Sequence, residues 1–392
     1  MLQNLIDRSQ DLKHLQDDGY ALEIVGAYAL IKNVPYVNSQ REIKHGTFIS
    51  ELSFVGDSLT VPNTHVIYFA GEFPCNNDGT IITSIQHASN RMELLPGVFI
   101  DHSFSNKPEA GYKDYYEKFT NYMRIVIGPA QSLDKSVTAI VQEKTTILDE
   151  SVFAYPDTNS SRGQFSAISN LLSFQKIAVI GLGGTGAYVL DLIAKTPVSA
   201  IHLFDGDLFE NHNAFRSPGA ASIEDINSQM YKVDYFKNLY SNMHLNIISH
   251  SCYINVENLH ELEGFDFVFL SIDNGSAKRL IVNELVSRNT PFIDLGIGVQ
   301  RCEHQLIGHV RVTAITPQKS DHIESRIDFS DDTDDVYSTN IQIADLNALN
   351  AVLAVIKWKK TIGFYQDLNR EHNSVYSIND GVLQNDEYVI PT

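Results

Sequence analysis

Cysteine is scarce. Three cysteines, Cys75, Cys252 and Cys302, stand far apart in 392 residues. An odd, scattered set excludes a disulfide framework, and it excludes a four-cysteine zinc site, which needs two close pairs. No structural zinc is therefore expected, and a reducing cytoplasm is the expected compartment. Long apolar runs are missing too: none approaches the roughly twenty residues of a membrane helix, so no membrane partner is expected. The first twenty residues, MLQNLIDRSQDLKHLQDDGY, lack the apolar core of a secretion signal and read as a helix. Basic residues are few: 29 Lys and Arg against 48 Asp and Glu leave a net charge of −19. Phosphate backbones are bound by clusters of Lys and Arg, so a nucleic-acid partner is disfavoured. The acid is dispersed except for one dense run, DFSDDTDD, at 328–335. No internal repeat is visible.

A chain of this length is too long for one ordinary core and reads as two domains. Its 43% hydrophobic and 20% charged residues are those of a globular protein. From 22 to 69, LEIVGAYALI, TFISELSFV and THVIYFA read as strands, with β-branched and aromatic residues between turn-formers. Tyr115, Phe119, Tyr122, Met123 and Ile127 then fall at helical spacing, with Gly128-Pro129 expected to halt the helix. The polar, turn-rich stretch YPDTNSSR at 155–162 marks the seam. The expected domains are a smaller β-rich α+β domain over 1–153 and a second domain over 154–392.

Beyond the seam, apolar strands alternate with helices: KIAVIG, a helix from Thr185, AIHLFD, a helix around 231–243, NIISHSC, DFVFLS, a helix over 276–289, and PFID. Continuous apolar strands separated by helices imply an α/β, Rossmann-like, doubly wound and mostly parallel sheet. QLIGHVRVTAI reads as a further strand and ADLNALNAVLAVIKW as a closing helix.

The candidate chemistry lies at the ends of these strands. Gly181, Gly183, Gly184 and Gly186, in GLGGTG, follow the strand KIAVIG and open a helix. Glycine permits a tight turn and close backbone approach, and the helix start offers N–H groups to phosphates. The next strand ends at Asp205, a carboxylate suited to ribose hydroxyls. These features alone suit NAD equally well, and a dehydrogenase is the bland reading. Asn213 and Arg216 in DGDLFENHNAFR, Lys232 in MYKV and Asp273-Asn274 after FVFLSI break the tie. Hydride transfer needs no Arg and Lys over phosphates with an acid beyond them. In nucleotidyl transfer the two cations neutralise a pyrophosphate leaving group, and the acid holds Mg²⁺. Singly, Arg216 would be a surface ion pair, Lys232 a solvated helix residue and Asp273-Asn274 a helix cap.

The order GxGGxG, D-x-D with N-x-x-R, K-V, then a strand ending in D-N resembles the ThiF/MoeB/ubiquitin-activating-enzyme (HesA/MoeB/ThiF) superfamily over about 162–360. The resemblance implies that Asp205 binds the ATP ribose. It implies that Asn213, Arg216 and Lys232 bind the phosphates beside Asn274, and that Asp273 coordinates Mg²⁺ and is essential for adenylation. It also implies a homodimer in which Arg162 reaches into the partner's ATP site. Two departures stand out. The paired CxxC motifs of many relatives are missing, and the expected crossover loop, about 316–335, holds no acceptor cysteine. Cys302, after PFID, is the nearest candidate acceptor on this chain; Cys75 and Cys252 read as structural. The whole chain resembles bacterial two-domain ThiF-type proteins of ubiquitin-like conjugation systems. That implies ATP-dependent adenylation of a ubiquitin-like protein ending in Gly, a conjugating-enzyme-like partner, and a first domain that recruits a partner, with a conjugating-enzyme-like fold as one reading of it. The alternatives are adenylation of a sulfur-carrier protein or small carboxylate, an NAD-dependent oxidoreductase, and an inactive nucleotide-binding scaffold.

Overall fold

The computed structural model describes residues 9–141, 146–148, 151–330 and 341–388. The first eight positions of the expected amino-terminal helix, and 331–335 of the expected crossover loop, lie outside the described residues. Two compact units divide the chain, Met1–Ile168 and Ser169–Thr392. Among the described residues no helix is long and apolar enough to cross a membrane.

The first unit opens with the helix Gln10–Asp17, capped by Ser9, whose hydroxyl accepts from Leu12 N–H at 3.4 Å. Its seven-stranded sheet runs in the order Thr146–Leu148, Ala21–Val25, Tyr28–Val37, Ile43–Glu51, Val66–Ala70, His102–Ser105, Gln86–Ala88. Every pairing is antiparallel except that of the first two strands. The helix Tyr115–Leu133 covers one face, burying Phe119, Tyr122 and Val126 with Phe48, Phe69 and Phe104 of the strands. This helix runs through Pro129 instead of ending at Gly128. A helix-interior proline costs about 3 kcal/mol, yet it comes one turn before the end and Ala130, fully buried, continues the packed face. The stretch read as turn-rich carries a short helix, Thr158–Arg162, because the Asp157 carboxylate accepts from Asn159 and Ser160 N–H at 2.9 and 3.0 Å.

The second unit is an α/β domain with a Rossmann-like sheet of eight strands. Across it the order is Ile247–His250, Ala200–Phe204, Lys176–Ile180, Phe267–Leu270, Phe292–Cys302, Gln305–Ile315, Asn373–Ser377, Val382–Asp386. The first five are parallel, and the last three are added antiparallel. Lys176–Ile180 comes first in sequence but sits inside the sheet, with the chain crossing to one side and later to the other. That makes a topological switch point between it and Phe267–Leu270, where open α/β sheets bind ligands. Both faces are buried, which explains the unbroken apolar strands. Ile177, Val179, Phe269 and Leu295 pack with Leu190, Ala351, Ala354 and Trp358 of the helices Gly184–Ile193 and Ala344–Thr361. Ala178, Ile180, Val268 and Leu270 pack on the other side with Ile281 and Leu285 of the helix Gly275–Ser287.

Candidate active site

At the switch point the strand Lys176–Ile180 turns into its helix through the glycine loop. Gly181 adopts φ +86°, its N–H donating to Phe204 O at 2.8 Å, and a Cβ there would sit 2.2 Å from Ser271 O. Such a backbone admits glycine alone. A Cβ on Gly186 would fall 1.9 Å from Gly181 O, and one on Gly184 would fall 1.8 Å from Asn347 Nδ2. Gly183 differs: the nearest atom to its Cβ position is Gln342 Oε1, at 3.9 Å. Among the described residues no contact requires glycine at 183, and space is left open at the helix start. Gly183 caps that helix without a side chain, and Gly184 N–H donates to Gln342 Oε1 at 3.3 Å. A neutral amide oxygen thus lies where a phosphate oxygen would accept the same hydrogen bond.

Asp205 follows the neighbouring strand and is 7% exposed. Its two oxygens accept from Leu182 N–H at 2.7 Å and Asp207 N–H at 2.8 Å, so it also braces the glycine loop. A carboxylate oxygen can accept twice, which leaves acceptor capacity for hydroxyls. Burial raises the Asp205 pKa, opposed chiefly by Lys232, whose Nζ lies 3.6 Å from Oδ1. Lys232 opens the helix Lys232–Tyr240 and is buried, with Nζ 2.5 Å from Asp207 Oδ2. Burial alone would raise the Asp207 pKa. Hydrogen bonds from Lys232 and from the Tyr253 hydroxyl reverse that and lower it.

Asn213 is buried in the short helix Asn211–Ala214, where its Oδ1 accepts from Glu210 N–H at 2.9 Å. Its Nδ2 is a buried donor without a partner among the described residues, and so is Nε of the half-buried Arg216. Unpaired buried donors are rare, and each calls for an explanation. Burial lowers the Arg216 pKa, opposed by the attraction of Asp273 first and then of Asp207 and Asp205. Asp273 itself is exposed after the strand Phe267–Leu270, and Asn274 caps the next helix, its Oδ1 accepting from Ala277 N–H at 2.8 Å. One buried side chain ties these parts together: Asn347, on the closing helix, accepts from Thr185 Oγ1 and donates to Arg216 O, both at 3.0 Å.

The structure therefore gathers Gly181, Gly183, Gly184, Gly186, Asp205, Asn213, Arg216, Lys232, Asp273 and Asn274 about the carboxyl ends of adjacent parallel strands. Arg162 belongs to the first unit, where it is exposed and attracts Glu51. Cys302 ends the strand Phe292–Cys302 at an exposed two-residue hairpin tip. It lies eight residues past Asp294, about 26 Å of strand rise beyond the parallel pairing. Cys75 is buried, its thiol 3.4 Å from Phe73 O, and burial raises its pKa as it does that of Cys252.

Asp207, Tyr253, Gln342 and Asn347 were missed by sequence reasoning. Asp207 is the second acid of the D-x-D pattern. Asn347 showed itself only as a polar residue within an otherwise apolar, small-residue helix. Nothing in sequence marked Tyr253 or Gln342.

Among the described residues, no group of three or more His, Cys, Asp or Glu side chains is arranged to hold a metal ion. Mg²⁺ differs from zinc here, because it is commonly held by one or two carboxylates together with substrate phosphates. An exposed Asp273 beside Arg216 fits that donor set.

The model of the ThiF family matches residues 165–383, more than half of the chain. Residues 10–158 match a domain of unknown function, DUF6791. Solved structures with a similar chain include E. coli MccB with MccA-N7isoASN, at 17% identity, covering 72% of this chain and 80% of that one with a TM-score of 0.49. E. coli MccB with ATP is 20% identical, covering 59% and 71%, with a TM-score of 0.45. SeMet PaaA is 21% identical, covering 56% and 75%, also with a TM-score of 0.45. No protein of curated function matches the sequence.

Proposed function

The chain belongs to the ThiF family, and from that premise we propose that it adenylates the carboxyl terminus of a ubiquitin-like protein ending in Gly. A carboxylate is a poor electrophile. In the proposed reaction one of its oxygens attacks the α-phosphorus of ATP, the bond to the bridging oxygen of pyrophosphate breaks, and a mixed anhydride forms.

The observation that carries this reading is the pair of buried donors without a partner among the described residues, Asn213 Nδ2 and Arg216 Nε, in the strand-end cluster that holds Lys232. Hydride transfer has no use for them. Negative charge building on a departing pyrophosphate does. Bound Mg²⁺ would add charge compensation at the α-phosphate, with Asp273 the residue to hold it. Gly183 and Gly184 would hold phosphate oxygens at the helix start, and Asp205 the ribose hydroxyls.

The acyl group then passes to a conjugating-enzyme-like partner recruited by the first unit, with no thioester on this chain. The raised pKa values of Cys75 and Cys252 disfavour a thiolate at either, and Cys302 lies far along its hairpin. The active species is a homodimer to which Arg162 contributes in trans.

The test is exchange of labelled pyrophosphate into ATP, which a dehydrogenase or an inactive scaffold does not catalyse. Exchange dependent on a ubiquitin-like protein supports the reading. Exchange dependent only on a small carboxylate overturns its substrate.

A further inference from the structure

We infer that Asp207 and Tyr253 are positioning residues for the proposed nucleotidyl transfer: together they hold the Lys232 ammonium on the phosphate side of the site. The inference rests on the reading above for the role of Lys232, and on the structure for the grip.

Asp207 holds Lys232 at two points. Its backbone carbonyl accepts from Lys232 N–H at 2.9 Å, and its Oδ2 lies 2.5 Å from Lys232 Nζ. The bridge between Leu208 and Tyr231 pairs the two segments beside that contact. The other carboxylate oxygen, Oδ1, accepts from the Tyr253 hydroxyl. Tyr253 is 62% exposed, so core packing does not account for its placement. Its ring lies over Gly206, where a Cβ would come within 2.7 Å of Cε2, so the glycine between the two acids lets the tyrosine reach Asp207.

Lysine carries three donors and a stem with much rotamer freedom. Asp207 takes one donor and fixes the stem. Asp205 stands at 3.6 Å, beyond hydrogen-bond reach, so among the described residues two donors remain for phosphate oxygens. Without the grip, Lys232 would have to be ordered when the nucleotide binds, and that cost would appear in affinity.

Asp207 acts on an incoming triphosphate in two opposed ways, since its hold on Lys232 helps binding while its own charge repels the phosphates. Tyr253→Phe separates them, because it removes only the hydroxyl that steadies Asp207 and leaves every charge in place. The ring also stays, so any contact of the ring with the nucleotide is kept.

The experiment titrates the full chain with ATP and, separately, with AMP by calorimetry. Tyr253→Phe is expected to weaken ATP about fivefold, the equivalent of one hydrogen bond, and AMP by less than about twofold. In a Lys232→Ala background, Tyr253→Phe is expected to add nothing. Equal weakening of ATP and AMP, no weakening of either, or a full effect after Lys232 is removed would each overturn the inference. Unaltered protein that binds ATP yet exchanges no pyrophosphate would refute the proposed reaction and leave the positioning role standing. Failure to bind either nucleotide would refute both.

Discussion

Asp273 and Arg216 show how individual residues share work in this site. The aspartate is exposed at a strand end, and its charge opposes the effect of burial on the arginine. Asp273→Asn keeps the shape and removes the charge. Pyrophosphate exchange is expected to fall at least about a hundredfold, as when a charged group at developing phosphate charge is lost. An exposed substitution of this kind changes stability by less than about 1 kcal/mol, so urea unfolding is expected to overlay that of the unaltered chain. Retained exchange would show that Asp273 does not hold Mg²⁺. The glycines and the acids were legible in sequence because backbone demands restrict residue type: at Gly181, a positive φ and a 2.2 Å approach leave no alternative. Tyr253 and Gln342 were not legible, since an exposed tyrosine and a lone glutamine satisfy no local rule, and only tertiary contact gives them a place. Asp205 was legible as an acid at a strand end, but its second task, accepting two backbone N–H groups from the loops, follows from geometry alone.

Among the elements, the helix Tyr115–Leu133 best separates pattern from packing. Its apolar spacing was readable from Tyr115 to Ile127, while its continuation past Gly128-Pro129 was not, because burial of Ala130 outweighs a local break. The strand and helix alternation of the second unit was legible almost element by element. Its three added antiparallel strands were read only in part, since Asn373–Ser377 and Val382–Asp386 are short and half exposed. The same helix buries Lys118, whose Nζ donates to Ser50 Oγ at 2.9 Å. Burial lowers the Lys118 pKa from 10.5 to about 7, opposed by Glu51. Between these values the unfolded chain binds the proton and the folded chain releases it, so this group makes stability rise with pH. The melting temperature is expected to increase from pH 7 to pH 9, below the range where the tyrosines titrate. Lys118→Met is expected to flatten that rise and to leave the protein at least as stable at pH 7. A melting temperature equally pH-dependent in both proteins would remove Lys118 as the cause.

For the whole molecule, the site's own residues all lie in the second unit, and Arg162 lies in the first. In the proposed homodimer this arginine acts across subunits. Mixing inactive Arg162→Ala with inactive Asp273→Asn is then expected to restore roughly a quarter of the exchange activity if subunits redistribute at random and each site needs both groups, a proportion set by which pairs assemble. No restoration, or a fully active monomer by light scattering, would contradict it. The central claim is that the carboxylate of a protein tail is the group activated. It is tested most directly by ATP–pyrophosphate exchange in the presence of a ubiquitin-like protein ending in Gly, supplied either with its free carboxyl terminus or with that terminus amidated. Exchange is expected with the free carboxylate and none with the amide. Exchange that is absent with both, or equal with both, would contradict it.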